Sequence, residues 1–171
     1  VLDLGYGTAS RLLEHCPPGV PRVLAALEPR PDPRTIFEIA DLAGPLRIGP
    51  FAVETFELPH YVPNSGVRLG RPGLTVAYTG DSGPSPVLAE LGRDVDLFVT
   101  DATLQGPAPQ TRPRYVMTAG EAAGWAARAG AKRLLLSHFW PGSDRSVSVA
   151  EAREVFPGEV LAATEGLVVP I

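Results

Sequence analysis

The sequence predicts an α/β fold, and three observations carry that expectation. Apolar runs of strand length, "VDLFVTDA" and "RLLLS", are continuous rather than alternating, as in parallel strands covered on both faces. Between and after them stand residue pairs with helix-start chemistry, Thr118 with Glu121 and Ser148 with Glu151, each spaced as a capping box. Nineteen prolines and 18 glycines among 171 residues then divide the chain into many short elements. A chain of this length is one domain by the usual prior, since about 150 residues already bury roughly 70% of their unfolded surface.

Taken in order, the opening "VLDLGYGTAS" reads as a strand running into Gly5 and Gly7, and Thr8 to His15 as a short helix ended by "CPPGVP". Val20 to Leu27 fits either a helix or a strand. "LRIGPFAVETFELPH" alternates over two strands joined at Gly49-Pro50, and "GVRLGRPGLTVAYTGD" predicts a hairpin turning between Gly70 and Gly73. Ser85 caps a helix with Pro86 first and Gly92 at its end. The buried strand "VDLFVTDA" and a proline-rich loop precede a helix from Thr118 to Gly130, with Ala122, Ala123, Trp125, Ala126 and Ala129 inward. After "KRLLLSHF", Ser148 and Glu151 predict a last helix reaching Phe156, and "GLVVPI" a last strand.

Composition narrows the function classes. A formal charge of -4 with both signs interspersed offers no basic face for duplex DNA. The single cysteine, Cys16, excludes an internal disulfide and a cysteine zinc cluster and fits the cytoplasm. No apolar run approaches the roughly 20 residues that span a bilayer, so no membrane association is expected. The chain starts at Val1 rather than methionine, from which a truncated N-terminal part is expected.

The chemistry-bearing residues stand where apolar strands run out: His60 after "ETFELP", Asp81 after "TVAYTG" and His138 after "RLLLS". In layered α/β folds ligands collect at the carboxyl ends of strands. Two imidazoles and a carboxylate suit zinc and similar divalent ions, and a carboxylate bridges two of them. Gly80 ahead of Asp81 permits a sharp backbone turn.

"LTVAYTGDSGPSPVLAELGRDVDLFVTDATLQ" and "MTAGEAAGWAARAGAKRLLLSHF" resemble the second half of metallo-β-lactamase-fold hydrolases, in particular the branch of ribonuclease Z and related phosphodiesterases. The resemblance implies an incomplete αββα sandwich, with two mixed β-sheets between helices. It also implies a dinuclear metal site, most simply of zinc, with manganese or iron as alternatives, that hydrolyses phosphodiester or other ester bonds. His60 matches the family's third metal motif, Asp81 the bridging aspartate, His138 the last histidine, and Asp101 an acidic position in the following strand, expected in a supporting role. The implied partners are small-molecule or single-stranded nucleic acid phosphoesters, and a homodimer stays open. Two departures stand out. The family's His-x-His-x-Asp-His motif is absent, so a segment is expected to be missing near residues 15–16, and Val116 replaces a histidine frequent in the ribonuclease-like members.

Each residue also has a plainer reading. Gly5 and Gly7 form a tight turn, or with Glu28 they suggest an S-adenosylmethionine-dependent methyltransferase, a reading that leaves "YTGD" and "LSHF" unexplained. Asp81 caps a turn, His60 is a solvated loop residue, and His138 is a satisfied interior histidine. Arg68 reads as a solvent-facing strand residue, and Trp125 and Trp140 as packing groups. A scaffold without metals or catalysis is the remaining alternative.

Overall fold

The computed structural model describes residues His15–Cys16, Ala40–Asp41 and 46–171. The chain divides into two compact units, Val1–Leu46 and Arg47–Ile171. Of the first, the described residues besides Leu46, which opens strand β3, are two short strands, β1 (His15–Cys16) and β2 (Ala40–Asp41), paired in parallel. His15, expected to end a helix, thus lies in a strand. The Gly5–Gly7 turn, the helix from Thr8, the segment Val20 to Leu27 and Glu28 lie outside the described residues.

The second unit is built on one seven-stranded mixed sheet whose spatial order follows the chain: β3 (Leu46–Ile48), β4 (Phe51–Leu58), β5 (Asn64–Arg71), β6 (Leu74–Tyr78), β7 (Leu97–Asp101), β8 (Arg133–Ser137) and β9 (Glu159–Ala162). The pairs β4–β5 and β5–β6 are antiparallel, and β6–β7, β7–β8 and β8–β9 are parallel. Three helices, α1 (Val87–Leu91), α2 (Ala119–Ala129) and α3 (Arg145–Arg153), supply the crossovers between parallel strands. The expectation of two mixed sheets between helices is therefore corrected. Among the described residues all strands from β3 to β9 hydrogen-bond into one sheet, because each crossover returns its strand beside the previous one.

Local chemistry explains most elements. Pro72 and Gly73 make the two-residue turn between β5 and β6, with Gly73 at φ +78°, the combination a type II turn requires. Ser85 Oγ accepts from the Val87 amide at 3.3 Å where α1 begins. Around α2 both halves of the capping box form, and Gly130 ends the helix at φ +70°. Helix α3 differs from expectation: it starts at Asp144, which accepts from the Ser146 amide, so Ser148 lies inside the helix rather than at its cap. There Ser148 is fully buried and accepts from Gln105 Nε2 at 2.9 Å. The last strand is also displaced. Glu159–Ala162 pairs with β8, whereas "GLVVPI" has no strand neighbour and leaves Val168 84% exposed.

The core lies between sheet and helices, with Phe98, Leu134 and Leu136 from the central strands meeting Leu88, Leu91, Ala122, Ala126 and Ala152 from the helices. The alanine-rich face of α2 lets it approach both the sheet and α3 closely. At Gly66 a Cβ would sit 2.6 Å from Leu91 Cδ2, so α1 rests almost directly on the β5 backbone. Arg68 is not the solvated residue expected. Its guanidinium reaches from β5 to the end of α1, donating to the carbonyls of Leu91 (3.2 Å), the last residue of the helix, and of Arg93 (2.7 Å), just past its cap.

Candidate metal centre

Three adjacent parallel strands deliver the polar groups to one edge of the sheet. Asp101 is the last residue of β7, His138 follows β8 directly, and Asp81 lies three residues beyond β6. Gly80 turns the chain at φ +60° just before Asp81, as its sequence position anticipates, and His138 itself adopts φ +56°. A left-handed conformation at a non-glycine residue stores roughly 1–3 kcal/mol of strain. It persists here because the neighbouring contacts hold the ring.

Those contacts form a chain. His138 Nδ1 lies 3.1 Å from Asp101 Oδ2 and 2.7 Å from Thr103 Oγ1, while Nε2 lies 3.2 Å from Asp81 Oδ1. Asp101 is 1% exposed. Its Oδ1 accepts from the amides of Thr103 and Met117, both at 3.0 Å, and Oδ2 accepts from the Ser82 amide at 3.4 Å. The Thr103 hydroxyl reaches both oxygens. Both ring nitrogens thus face an acceptor-only carboxylate; a cation between Nε2 and Asp81 would take the place of a proton there and leave the remaining ring proton on Nδ1, held by Asp101.

Asp81, Asp101 and His138 can each offer one ligand atom within 4.8 Å of the others. The donor types fit a divalent cation, and the orientation fits too: a buried carboxylate holds Nδ1 of the imidazole and directs Nε2 at an oxygen of Asp81. The set is partial, because catalytic zinc sites usually draw three protein ligands. His60 is not among these three clustered residues. It occupies the loop between β4 and β5, with Nδ1 3.2 Å from the Tyr115 carbonyl and its ring 4.3 Å from that of Tyr61.

Three loops are nevertheless tied together. Asn64 Nδ2 donates to the Asp81 carbonyl at 2.9 Å, and the Gly83 amide donates to the Pro59 carbonyl at 3.0 Å, joining the His60 loop to the Asp81 loop. A Cβ on Gly83 would lie 2.0 Å from the Arg114 carbonyl, so the third loop presses against the second. That third loop is anchored by Arg114, whose guanidinium holds both oxygens of Glu121. Burial alone would raise the Glu121 pKa, but the Arg114 contact and the Thr118 amide outweigh it and keep the carboxyl below its ordinary value. Sequence reasoning missed Thr103, Asn64 and Arg114. Thr103 follows Asp101 by two residues and so shares its face, which is a recognisable signal; the other two act through long-range contacts.

A family model described as beta-lactamase superfamily domain matches residues 2–139. The chain belongs to the beta-lactamase superfamily. The match takes in Gly5, Gly7 and Glu28, the residues on which the methyltransferase reading rested, so the superfamily assignment replaces that reading. The metallo-beta-lactamase fold protein YhfI from Bacillus subtilis is 28% identical, with a TM-score of 0.70 over 76% of this chain and 55% of that one. Human tRNase Z, short form, shares the fold at 21% identity and a TM-score of 0.65, covering 92% of this chain and 65% of that one. Among curated relatives, an uncharacterized protein of Mycobacterium tuberculosis is 33% identical over 73% of this chain and 46% of its own length. A ribonuclease Z of Haloarcula marismortui is 38% identical over 61% of this chain and 35% of its own length. The chain thus spans about half the length, or less, of the curated relatives it matches. Among the described residues no helix is long and apolar enough to cross a membrane.

Proposed function

We propose that the protein is a metal-dependent hydrolase acting on phosphodiester or other ester bonds, with Asp81 and His138 as metal ligands. The observation that carries this reading is the approach of His138 Nε2 to Asp81 Oδ1 at 3.2 Å while Nδ1 is held by Asp101 and Thr103. An imidazole nitrogen and a carboxylate oxygen that meet at the carboxyl ends of β6 and β8, with side chains 41% and 36% exposed, form a pair that a divalent cation can reach and bind in place of the proton between them. Bound divalent ions, zinc first and manganese or iron as alternatives, supply Lewis acidity that polarises an ester oxygen and makes water a usable nucleophile near neutral pH.

The chain's own residues do the rest. Asp101 and Thr103 fix the imidazole plane and its proton on Nδ1, and Asp81 supplies negative charge to the cation. His60 is proposed as a ligand of a second ion, since its Nδ1 faces a carbonyl and Nε2 is then the basic nitrogen. Asp81 is proposed as the oxygen donor shared by the two ions. With His-x-His-x-Asp-His absent from these 171 residues, the named donors are part of the coordination shell. Interspersed charges with no basic face fit small or single-stranded phosphoesters better than duplex DNA, and the single cysteine fits the cytoplasm.

The test is direct. The chain loaded with zinc or manganese should hydrolyse bis(p-nitrophenyl) phosphate, lose that activity to a chelator, and lose it with bound metal in His138→Ala and Asp81→Ala. Wild-type metal content in both variants refutes the ligand assignment; folded, metal-loaded protein inert toward phosphodiesters and carboxylic esters alike refutes the hydrolase.

A further inference from the structure

Beside the candidate centre lies an open cleft of ≈ 610 Å³ lined by His60, Tyr61, Val62, Asn64, Ser85 and Val87 among others. Two of its lining rings, His60 and Tyr61, meet a third, Tyr115, from the neighbouring loop. Tyr61 and Tyr115 meet at 6.1 Å and 70°, His60 and Tyr115 at 6.0 Å and 81°, and His60 and Tyr61 at 4.3 Å and 51°. These tilted and edge-to-face contacts steady the Tyr61 ring while leaving the residue 72% exposed. The described lining includes one carboxylate, Glu57, and no lysine or arginine, so it suits a neutral planar group and disfavours a run of phosphates. The cleft is also tied to the metal cluster: Asn64, which lines it, donates to the Asp81 carbonyl at 2.9 Å.

We propose that this cleft is a stacking subsite for the nucleobase of a small nucleotide phosphoester, with Tyr61 as the platform and Tyr115 and His60 as its lateral supports. The proposal rests on the hydrolase reading for the placement of the phosphoester, which lies toward Asp81 while the base lies on Tyr61. Stacking on one aromatic ring gives discrimination for a base over its absence that is large enough to measure, on the order of tenfold in affinity, and tolerates every base because each has a π-face. Asn64 and Ser85 place polar groups near the base edge.

The experiment compares dissociation constants of the full chain for adenosine 5'-monophosphate and ribose 5-phosphate, and in parallel for adenosine and ribose. The wild type should prefer each base-bearing member by about tenfold. Tyr61→Ala should bring both ratios near one, and Tyr61→Trp should restore them. Because Tyr61 is mostly solvent-exposed, these variants keep the fold. Ratios near one in the wild type, or ratios unchanged in Tyr61→Ala, overturn the proposal. The phosphate-free pair separates the two ideas: an adenosine preference in a protein inert toward phosphoesters sinks the hydrolase and retains the subsite, whereas hydrolysis with no base preference does the reverse.

Discussion

Replacing Asp101 by asparagine should change metal binding more than it changes the fold. The amide keeps one oxygen, and the favourable place for it is that of Oδ1, where the amides of Thr103 and Met117 both donate at 3.0 Å. Its NH2 group then takes the place of Oδ2, 3.1 Å from His138 Nδ1. Two donors cannot face each other at that distance, so the imidazole surrenders the Nδ1 proton and carries it on Nε2, the atom 3.2 Å from Asp81 Oδ1. The former ligand nitrogen becomes a hydrogen-bond donor to the other ligand. Loss of such an orienting partner typically lowers metal affinity 10–100-fold, or about 1.4–2.7 kcal/mol. Weakening the charge-assisted bonds costs about 1–2 kcal/mol of stability. Competition between the protein and a chromophoric zinc chelator measures the first quantity, and urea unfolding without metal the second. Thr103→Val should weaken zinc in the same direction, and Thr103→Ser should restore it. A folded Asp101→Asn protein with wild-type zinc affinity would refute the tautomer argument.

Other consequences are equally open to test. Asp96 receives the Thr75 amide and Lys132 Nζ, both at 2.7 Å, and the Lys132 contact foremost lowers its pKa from 3.8 to about 2. A depressed acid stabilises the fold above its unfolded value, so this contribution is complete above about pH 4 and is lost as pH falls toward 2. With the exposed lysine end discounted it is about 1 kcal/mol, and acid titration of stability in Asp96→Asn should show a correspondingly shallower slope in that window. Glu121→Ala removes both the capping carboxylate of α2 and the partner of a guanidinium whose side chain is only 8% exposed. A loss of about 2–4 kcal/mol is expected in urea melts, against no more than about 0.5 kcal/mol for an uncoupled surface change. Gly83→Ala, with its Cβ 2.0 Å from the Arg114 carbonyl, should force the loops apart and lower both melting temperature and zinc affinity. Unchanged values would show that the backbone yields freely there.

The parts legible in the sequence are those fixed by local chemistry. The Pro72-Gly73 turn, both ends of α2 and the continuous apolar strands β7 and β8 all follow from residues a few positions apart. Asp81 and His138 are recognisable as strand-end residues, a signal that selects His60 as well although it lies outside the cluster, whereas Asp101 is legible only through the family resemblance. The start of α3 was misread since Asp144 and Ser148 both have cap chemistry, and only the burial of Ser148 against Gln105 decides between them. "GLVVPI" has strand propensity but no pairing neighbour, while Glu159–Ala162 has a modest pattern and the open edge of β8 beside it. Arg68 could not be placed because its partners are carbonyls 23 and 25 residues away. The count of sheets likewise depends on how crossovers return, which no local pattern records.

A cation held between Asp81 and His138 is what the hydrolase reading requires first. Crystals of the chain grown with zinc, measured above and below the zinc absorption edge, should give an anomalous peak within about 2.0–2.2 Å of both Asp81 Oδ1 and His138 Nε2. A peak elsewhere, or fully zinc-equilibrated crystals in which the two groups bond directly to each other with no peak between them, would contradict it.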